Sequence, residues 1–234
     1  MNHLKMIHDY LKKKAPIESI PRTGLPFVTI SRQTGAGGHL LAHVLITDFL
    51  NEKDRNLFRG WHVFDRELCE IVAVDPELRT NMESLLAESY QSEFKEFIDS
   101  LFVGRPQQYL LHKKTFHVVR ILALLGKVII VGRGGAMVTR DIPGGINVRL
   151  VAPEVTRVRW MMHKLSLDKD AALKLVRKQD ADRRRLASTF FRKDADDPLN
   201  YDVVWNSETV NPHEMSRAVI GMLNRRFGGK VRED

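Results

Sequence analysis

The chain has 234 residues, of which 43% are hydrophobic and 28% charged, a balance that fits a globular protein and excludes disordered and fibrous classes. Its formal net charge of +8 points to anionic partners, either nucleotides or nucleic acid. The single cysteine, Cys69, excludes an internal disulfide and fits a reducing, cytoplasmic setting, and the scattered histidines show no zinc spacing.

The first residues, MNHLKMIHDYLKKKAP, place Leu4, Ile7 and Leu11 at helical spacing and stop at Pro16. They read as a short accessory helix in an extension over residues 1–25, with no secretory signal. Lys12, Lys13 and Lys14 read as its solvated face. The next segment is the most informative. A β-type run, Phe27-Val28-Thr29-Ile30, feeds a turn rich in glycine, and Leu40, Leu41, Val44, Leu45 and Phe49 then repeat at helical spacing. A strand, glycine loop and helix in this order present bare backbone amides and a positive helix end, for which phosphate is the usual occupant. Gly35, Gly37 and Gly38 let the backbone approach phosphate oxygens with no Cβ in the way. The alternative is a turn that only joins strand to helix. A Walker-type loop carries Lys and then Ser or Thr, whereas this chain has Gly38, His39 and Leu40 there.

Residues 61–65 (WHVFD) form a short strand ending on a carboxylate, and ELCEIVA continues as a helix. Residues 76–104 read as one or two peripheral helices whose acids (Glu77, Glu83, Glu88, Glu93, Glu96, Asp99) face water. After the break at Gly104-Arg105-Pro106, a longer helix spans residues 107–125, its buried stripe formed by Leu110, Leu111, Val118, Ile121, Leu122 and Leu125. The β-branched run KVIIVG reads as a strand covered on both faces. The apolar stretch ILALLGKVIIVG is split by Gly126-Lys127, so it is a helix end and a strand, with no membrane span. A short helical stretch reaches Arg140, a turn holds Pro143-Gly144-Gly145, and INVRLVA is the next strand. Pro153 opens a helix, residues 168–191 form a charged helix, residues 194–197 an acidic loop, residues 201–206 a strand and residues 212–227 a terminal helix.

Strands alternating with helices imply a parallel sheet with helices on both faces. Ligands of such sheets bind beyond the strand C-termini. The glycine loop, Asp65, Arg133 and the loop after the last strand meet at that edge.

Five segments in order, TISRQTGAGG, VFDRELCEIVA, VIIVGRGGAMV, VRLVAPEVTRV and DADRRRLASTFFRKDADDPLNYDVVWN, resemble the cytidylate kinase-like family, a branch of the P-loop nucleoside monophosphate kinases. The resemblance implies an α/β fold of the P-loop NTPase type: three layers around a parallel sheet of about five strands. It implies one kinase-like domain over residues 26–229 with a helical lid near residues 166–197. It further implies phosphoryl transfer from ATP, with Mg²⁺, to CMP, dCMP or a similar pyrimidine nucleotide. On that footing the ATP phosphates meet Arg32, Thr34, Gly35, Ala36, Gly37, Gly38 and His39, while Asp65, Arg133, Arg177 and Arg183 bind the monophosphate. Arg133 matches the family arginine that follows a glycine at the end of the third core strand. Asp180 and Arg183 match the lid pair, and with Arg133 they are the catalytic candidates.

The departures matter. Gly38 removes the loop lysine, Leu40 removes the loop hydroxyl that would hold Mg²⁺, and His39 stands in place of the branch's usual arginine. Arg32 or His39 is nearest to restore the lost charge, and no residue is assigned to a metal. Plainer roles stand beside each choice. Arg133 could cap carbonyls, Arg183-Arg184-Arg185 could be solvated charge, and Asp65 could be an N-cap. Asp194, Asp196 and Asp197 read as a polar turn, Phe190-Phe191 as packing, and Tyr201 and Asn206 as structural. A regulatory nucleotide-binding protein of the same fold that has lost transfer is the alternative function. A nucleic-acid-binding role rests on charge alone and comes last. The oligomeric state is not legible.

Overall fold

Val128-Ile129-Ile130-Val131 is apolar at every position because its strand is buried on both faces. The computed structural model of the chain describes residues 3–14, 16–19 and 21–228. Residues 1, 2, 15 and 20 of the N-terminal segment and residue 229, the expected end of the domain, lie outside the described residues, as do the side chains of Glu88 and Glu93.

The elements begin with α1 (His3–Lys12), β1 (Phe27–Arg32), α2 (Gly38–Leu50), α3 (Arg55–Phe58), β2 (His62–Phe64), α4 (Arg66–Val74), α5 (Pro76–Glu83) and α6 (Glu88–Phe102). They continue with α7 (Leu110–Leu125), β3 (Val128–Val131), α8 (Gly135–Val138), β4 (Gly145–Val151), α9 (Glu154–Leu165), α10 (Lys169–Phe191), β5 (Val203–Asn206) and α11 (Pro212–Phe227). All strand pairs are parallel, in the order β2-β3-β1-β4-β5. With β1 central, Thr29 lies level with Ile130 on one side and Asn147 on the other, so all five strands end along one edge. This is an α/β fold built on a five-stranded parallel sheet.

Alternation along the strands divides the core. Phe27, Val128 and Ile130 join Phe64, Val72 and Leu122 beneath α4 and α7. Val28, Ile30, Ile129, Ile146 and Val148 join Leu45, Phe49 and Val219 beneath α2 and α11. A small separate cluster, Val158, Ala172 and Val176, holds α9 against α10. The N-terminal helix is part of the first cluster: Ile7, Tyr10 and Leu11 are buried in it. Tyr10 donates to the Gly126 carbonyl at 3.1 Å, and the Lys14 ammonium donates to Leu125 and Gly126 carbonyls at 2.5 and 2.8 Å, satisfying the carbonyl end of α7.

Four residues of the expected apolar stripes are exposed: Leu4, Leu40, Leu110 and Leu111. Leu40 and Leu111 lie on the walls of cavities instead of in the core, and α7 is buried from Thr115 onward. Among the described residues no helix is long and apolar enough to cross a membrane.

Candidate functional site

Between β1 and α2 the backbone turns through Gly35 and Gly37, at φ 84° and 82°, where side chains are strained. At Gly35 a Cβ would stand 2.7 Å from the Arg157 carbonyl oxygen. Five other helices begin under a capping side chain (Asp54, Asp65, Asp75, Asp168, Asn211), but α2 has none. Among the described residues nothing accepts from the amides of Gly35, Gly37, Gly38 or His39. These bare donors, with the positive end of α2, open into a cavity of about 530 Å³ that Trp160, Met161, Lys164 and Pro212 also line. Such a cradle fits an anion.

A second, larger cavity of about 1020 Å³ lies beyond the ends of β2 and β3 and contains Asp65, Arg66, Glu70, Arg133, Arg149 and Tyr201 in its wall. Arg32, His39, Gln179 and Arg183 line both cavities. The two spaces therefore meet over the tip of the central strand.

Arg133 leaves β3 at φ 56°, a conformation that non-glycine residues seldom adopt and that gathers at functional sites. Among the described residues its guanidinium caps no carbonyl; it pairs with Glu70 at 3.0 Å, which also receives Arg66 at 3.1 Å. Burial, then the nearby Arg66, lowers the pKa of Arg133. Arg183 is half-buried and reaches down from α10 to the Thr34 hydroxyl and to Asp180 at 3.0 Å. Asp65 is an N-cap and also stands in the wall of the larger cavity. Its carboxylate accepts the Leu68 amide at 3.1 Å as the N-cap of α4, and faces His39 Nε2 at 3.5 Å in the cavity wall. Chiefly the His39 hydrogen bond, working against burial, holds its pKa near about 2.

Several expected site residues sit elsewhere. Asp180 lines neither cavity. It is buried beneath the loop, accepting the Thr34 amide at 2.7 Å, the Thr34 hydroxyl at 2.8 Å and Arg157 at 2.7 Å. It holds Thr34 and Arg157 in position. Thr34 spends its amide and hydroxyl on Asp180, and the Ala36 amide closes a turn onto Gln33 at 3.2 Å, so neither residue offers a phosphate an N–H. Arg177 is exposed and paired with Glu154 at 2.9 Å. The inward stripe of α10 runs through Val176, Asp180, Arg183 and Ala187, and residue 177 falls one step around the helix from it. Phe190 packs among Phe102, Tyr109, His112 and Phe116. The acidic loop is a polar turn: Asp194 accepts the Asp196 amide at 2.8 Å, Asp197 accepts the Leu199 amide at 2.9 Å, and Asp196 pairs with Arg149.

Among the described residues no group of His, Cys, Asp and Glu is arranged to hold a metal, and Leu40 occupies the position of the loop hydroxyl.

Arg149, Glu70, Arg157 and Trp160 were not found from sequence. Arg149 carried a signal, a charge within the apolar strand Ile146–Val151; its guanidinium donates to the Tyr201 hydroxyl at 3.2 Å. The others sit in ordinary helical patterns.

The sequence profile of the cytidylate kinase-like family matches residues 27–209. The chain belongs to that family. This makes it a nucleoside monophosphate kinase-like protein, with the kinase-type nucleotide fold that the strand order displays. Among solved structures, an uncharacterized protein from Eubacterium ventriosum superposes with a TM-score of 0.61 at 18% identity, covering 86% of this chain and 98% of that one. Shikimate kinase from Bacteroides thetaiotaomicron gives a TM-score of 0.44 at 11% identity, over 86% of this chain and 97% of its own. A curated relative, the uronate isomerase of Corynebacterium glutamicum, is 26% identical over 104 residues, which is 44% of this chain and 20% of that protein. The family member described here thus spans about a fifth of that relative's length.

Proposed function

We propose that this family member transfers the terminal phosphoryl group of ATP, bound over the glycine loop, to a pyrimidine nucleoside monophosphate in the larger cavity. The observation that carries the reading is the shared wall: Arg32, His39, Gln179 and Arg183 face both spaces, so a donor phosphate and an acceptor phosphate would meet there. Transfer needs in-line positioning and neutralised charge more than covalent chemistry. The bare amides of Gly35, Gly37, Gly38 and His39 hold the donor chain. Arg133 and Arg149 hold the acceptor phosphate, whose arrival competes with Glu70 and Asp196 for them. Arg183 stands over the transferring group, and its planar fork suits phosphate oxygens. Mg²⁺ carried in with the nucleotide would lessen the negative charge that the bare amides and arginines have to balance. A cytoplasmic setting suits this chemistry and the buried thiol of Cys69, which burial pushes up to about 12.

The test is a screen of nucleoside monophosphates for ATP-dependent phosphorylation in the presence of Mg²⁺. Formation of a diphosphate product from CMP or dCMP is expected, and failure with every monophosphate would reject the reading. A second reading is favoured by Gly38 and Leu40: a nucleotide-binding regulator of the same fold without transfer. It predicts nucleotide binding with no product.

A further inference from the structure

We propose that Arg32 takes over the charge of the missing loop lysine, entering the phosphate site from the end of β1 and not from the loop. The inference rests on the kinase reading above and names the cation that the reading lacks. Three observations support it. First, the space is already shaped for this side chain: a Cβ at Gly38, the lysine position, would stand 3.1 Å from Arg32 Cδ and 3.2 Å from Cγ. The arginine stem occupies the room that a loop side chain would fill, so absence of a side chain at residue 38 and presence of the arginine at residue 32 are two halves of one arrangement. Second, a Cβ at Gly132 would stand 1.9 Å from Arg32 Nη1. The guanidinium therefore lies against the bare backbone at the tip of β3. Third, no acceptor among the described residues bonds the guanidinium, although it lines both cavities between Arg183 and Arg133.

A half-buried cation beside two others, with no carboxylate bonded to it, is a ready partner for an anion. Burial first, then Arg183 and Arg133, lower its pKa to about 9, while Asp65 acts in the opposite sense. A triphosphate supplies the counter-charge.

The experiment measures binding of ATP and of inorganic tripolyphosphate, a probe without a base, by titration calorimetry. It uses the wild type and Arg32→Ala, Arg32→Lys, Gly132→Ala and Arg177→Ala, each checked for a native thermal transition. Arg32→Ala should weaken both probes by about tenfold or more, as loss of a charge-assisted contact does, with Arg32→Lys intermediate. Gly132→Ala should weaken them in the same direction with Arg32 intact, because a methyl there displaces the guanidinium; this variant keeps the test open if Arg32→Ala does not fold. Arg177→Ala, outside the site, should match the wild type. Should the wild type bind and both Arg32→Ala and Gly132→Ala bind within about twofold of it, the assignment of Arg32 is overturned. A wild type that binds neither probe overturns the kinase reading itself, and this inference with it.

Discussion

Thr34 and Asp180, 146 residues apart in the chain, are joined by two hydrogen bonds, amide to carboxylate at 2.7 Å and hydroxyl to carboxylate at 2.8 Å. The first residue lies in the glycine loop and the second in the helix that carries Arg183. The same carboxylate receives Arg157, whose guanidinium also bonds the Thr34 carbonyl at 3.0 Å. The loop is thereby tied to α9 and α10, and Arg183 is aimed by a framework that no ligand has to build.

Removing that carboxylate is expected to be costly. In Asp180→Ala the buried Arg157 loses its counter-charge and the Thr34 amide its acceptor, a loss of about 3–5 kcal/mol by comparison with other broken buried pairs. Asp180→Asn retains an acceptor oxygen and should lose less. Chemical denaturation of the three proteins measures this, and a loss below about 1 kcal/mol in the alanine variant would contradict the clamp.

Arg183→Ala separates aim from adhesion. The Thr34–Asp180 bonds survive this change, so the glycine loop keeps its shape and nucleotide affinity should fall only severalfold. Turnover should drop by about a thousandfold or more, the scale of arginines that stabilise a transferring phosphoryl group. Steady-state kinetics against CMP, with binding measured separately, distinguishes the two. Equal losses in both quantities would make Arg183 a binding residue only.

What the sequence made legible was set by short-range rules. The unbroken apolar run of β3 follows from burial on both faces, and α11 starts at Pro212 because Asn211 and Glu214 form a capping box. Arg133 and Asp65 were placed by motif and do line the larger cavity. Burial and long-range contacts were not legible. The spacing of Asp180 and Arg183 gave their helix face but not that one ends beneath the loop and the other above it. Leu40 and Leu111 repeat at helical period, yet periodicity does not distinguish a core from a cavity wall. The docking of α1 was hidden for the same reason: an amphipathic stripe says that one face is covered, not by what.

That docking makes the N-terminal helix structurally necessary. Ile7 is fully buried, in one cluster with Tyr10, Leu11, Phe64 and Val72. Ile7→Ala should destabilise the whole domain by about 2–5 kcal/mol, the range for large-to-small changes in packed cores. A single cooperative transition shifted to lower denaturant is the expected result. A separate early transition, with the main one unmoved, would make α1 an independent appendage.

Asp65 gives a pH dependence with a defined sign. Its folded-state pKa, near about 2, lies below the ordinary 3.8, chiefly through His39. A depressed carboxylate contributes stability above the unfolded value, and loses it as pH falls through the folded one. The wild type should therefore weaken between pH 3.8 and about 2 by more than Asp65→Asn does. Acid titration of stability in the two proteins checks this; parallel curves would remove the His39–Asp65 pair as the cause.

Trp160 offers a direct report on the smaller cavity. It is 36% exposed on α9 and shares the wall with Leu40, Met161 and Pro212, whereas Trp61 is 7% exposed in the core. These apolar side chains line the same cavity as the bare amides, so the base of a triphosphate whose phosphates occupy the loop would rest against them. An indole face is a suitable partner for such a base, and stacking is worth about 1–3 kcal/mol per base. ATP should therefore quench tryptophan emission, Trp160→Phe should abolish most of that quench, and inorganic tripolyphosphate should produce little of it. Quenching that persists in Trp160→Phe would place the base elsewhere, and would leave the exposed indole of α9 without a role in donor binding.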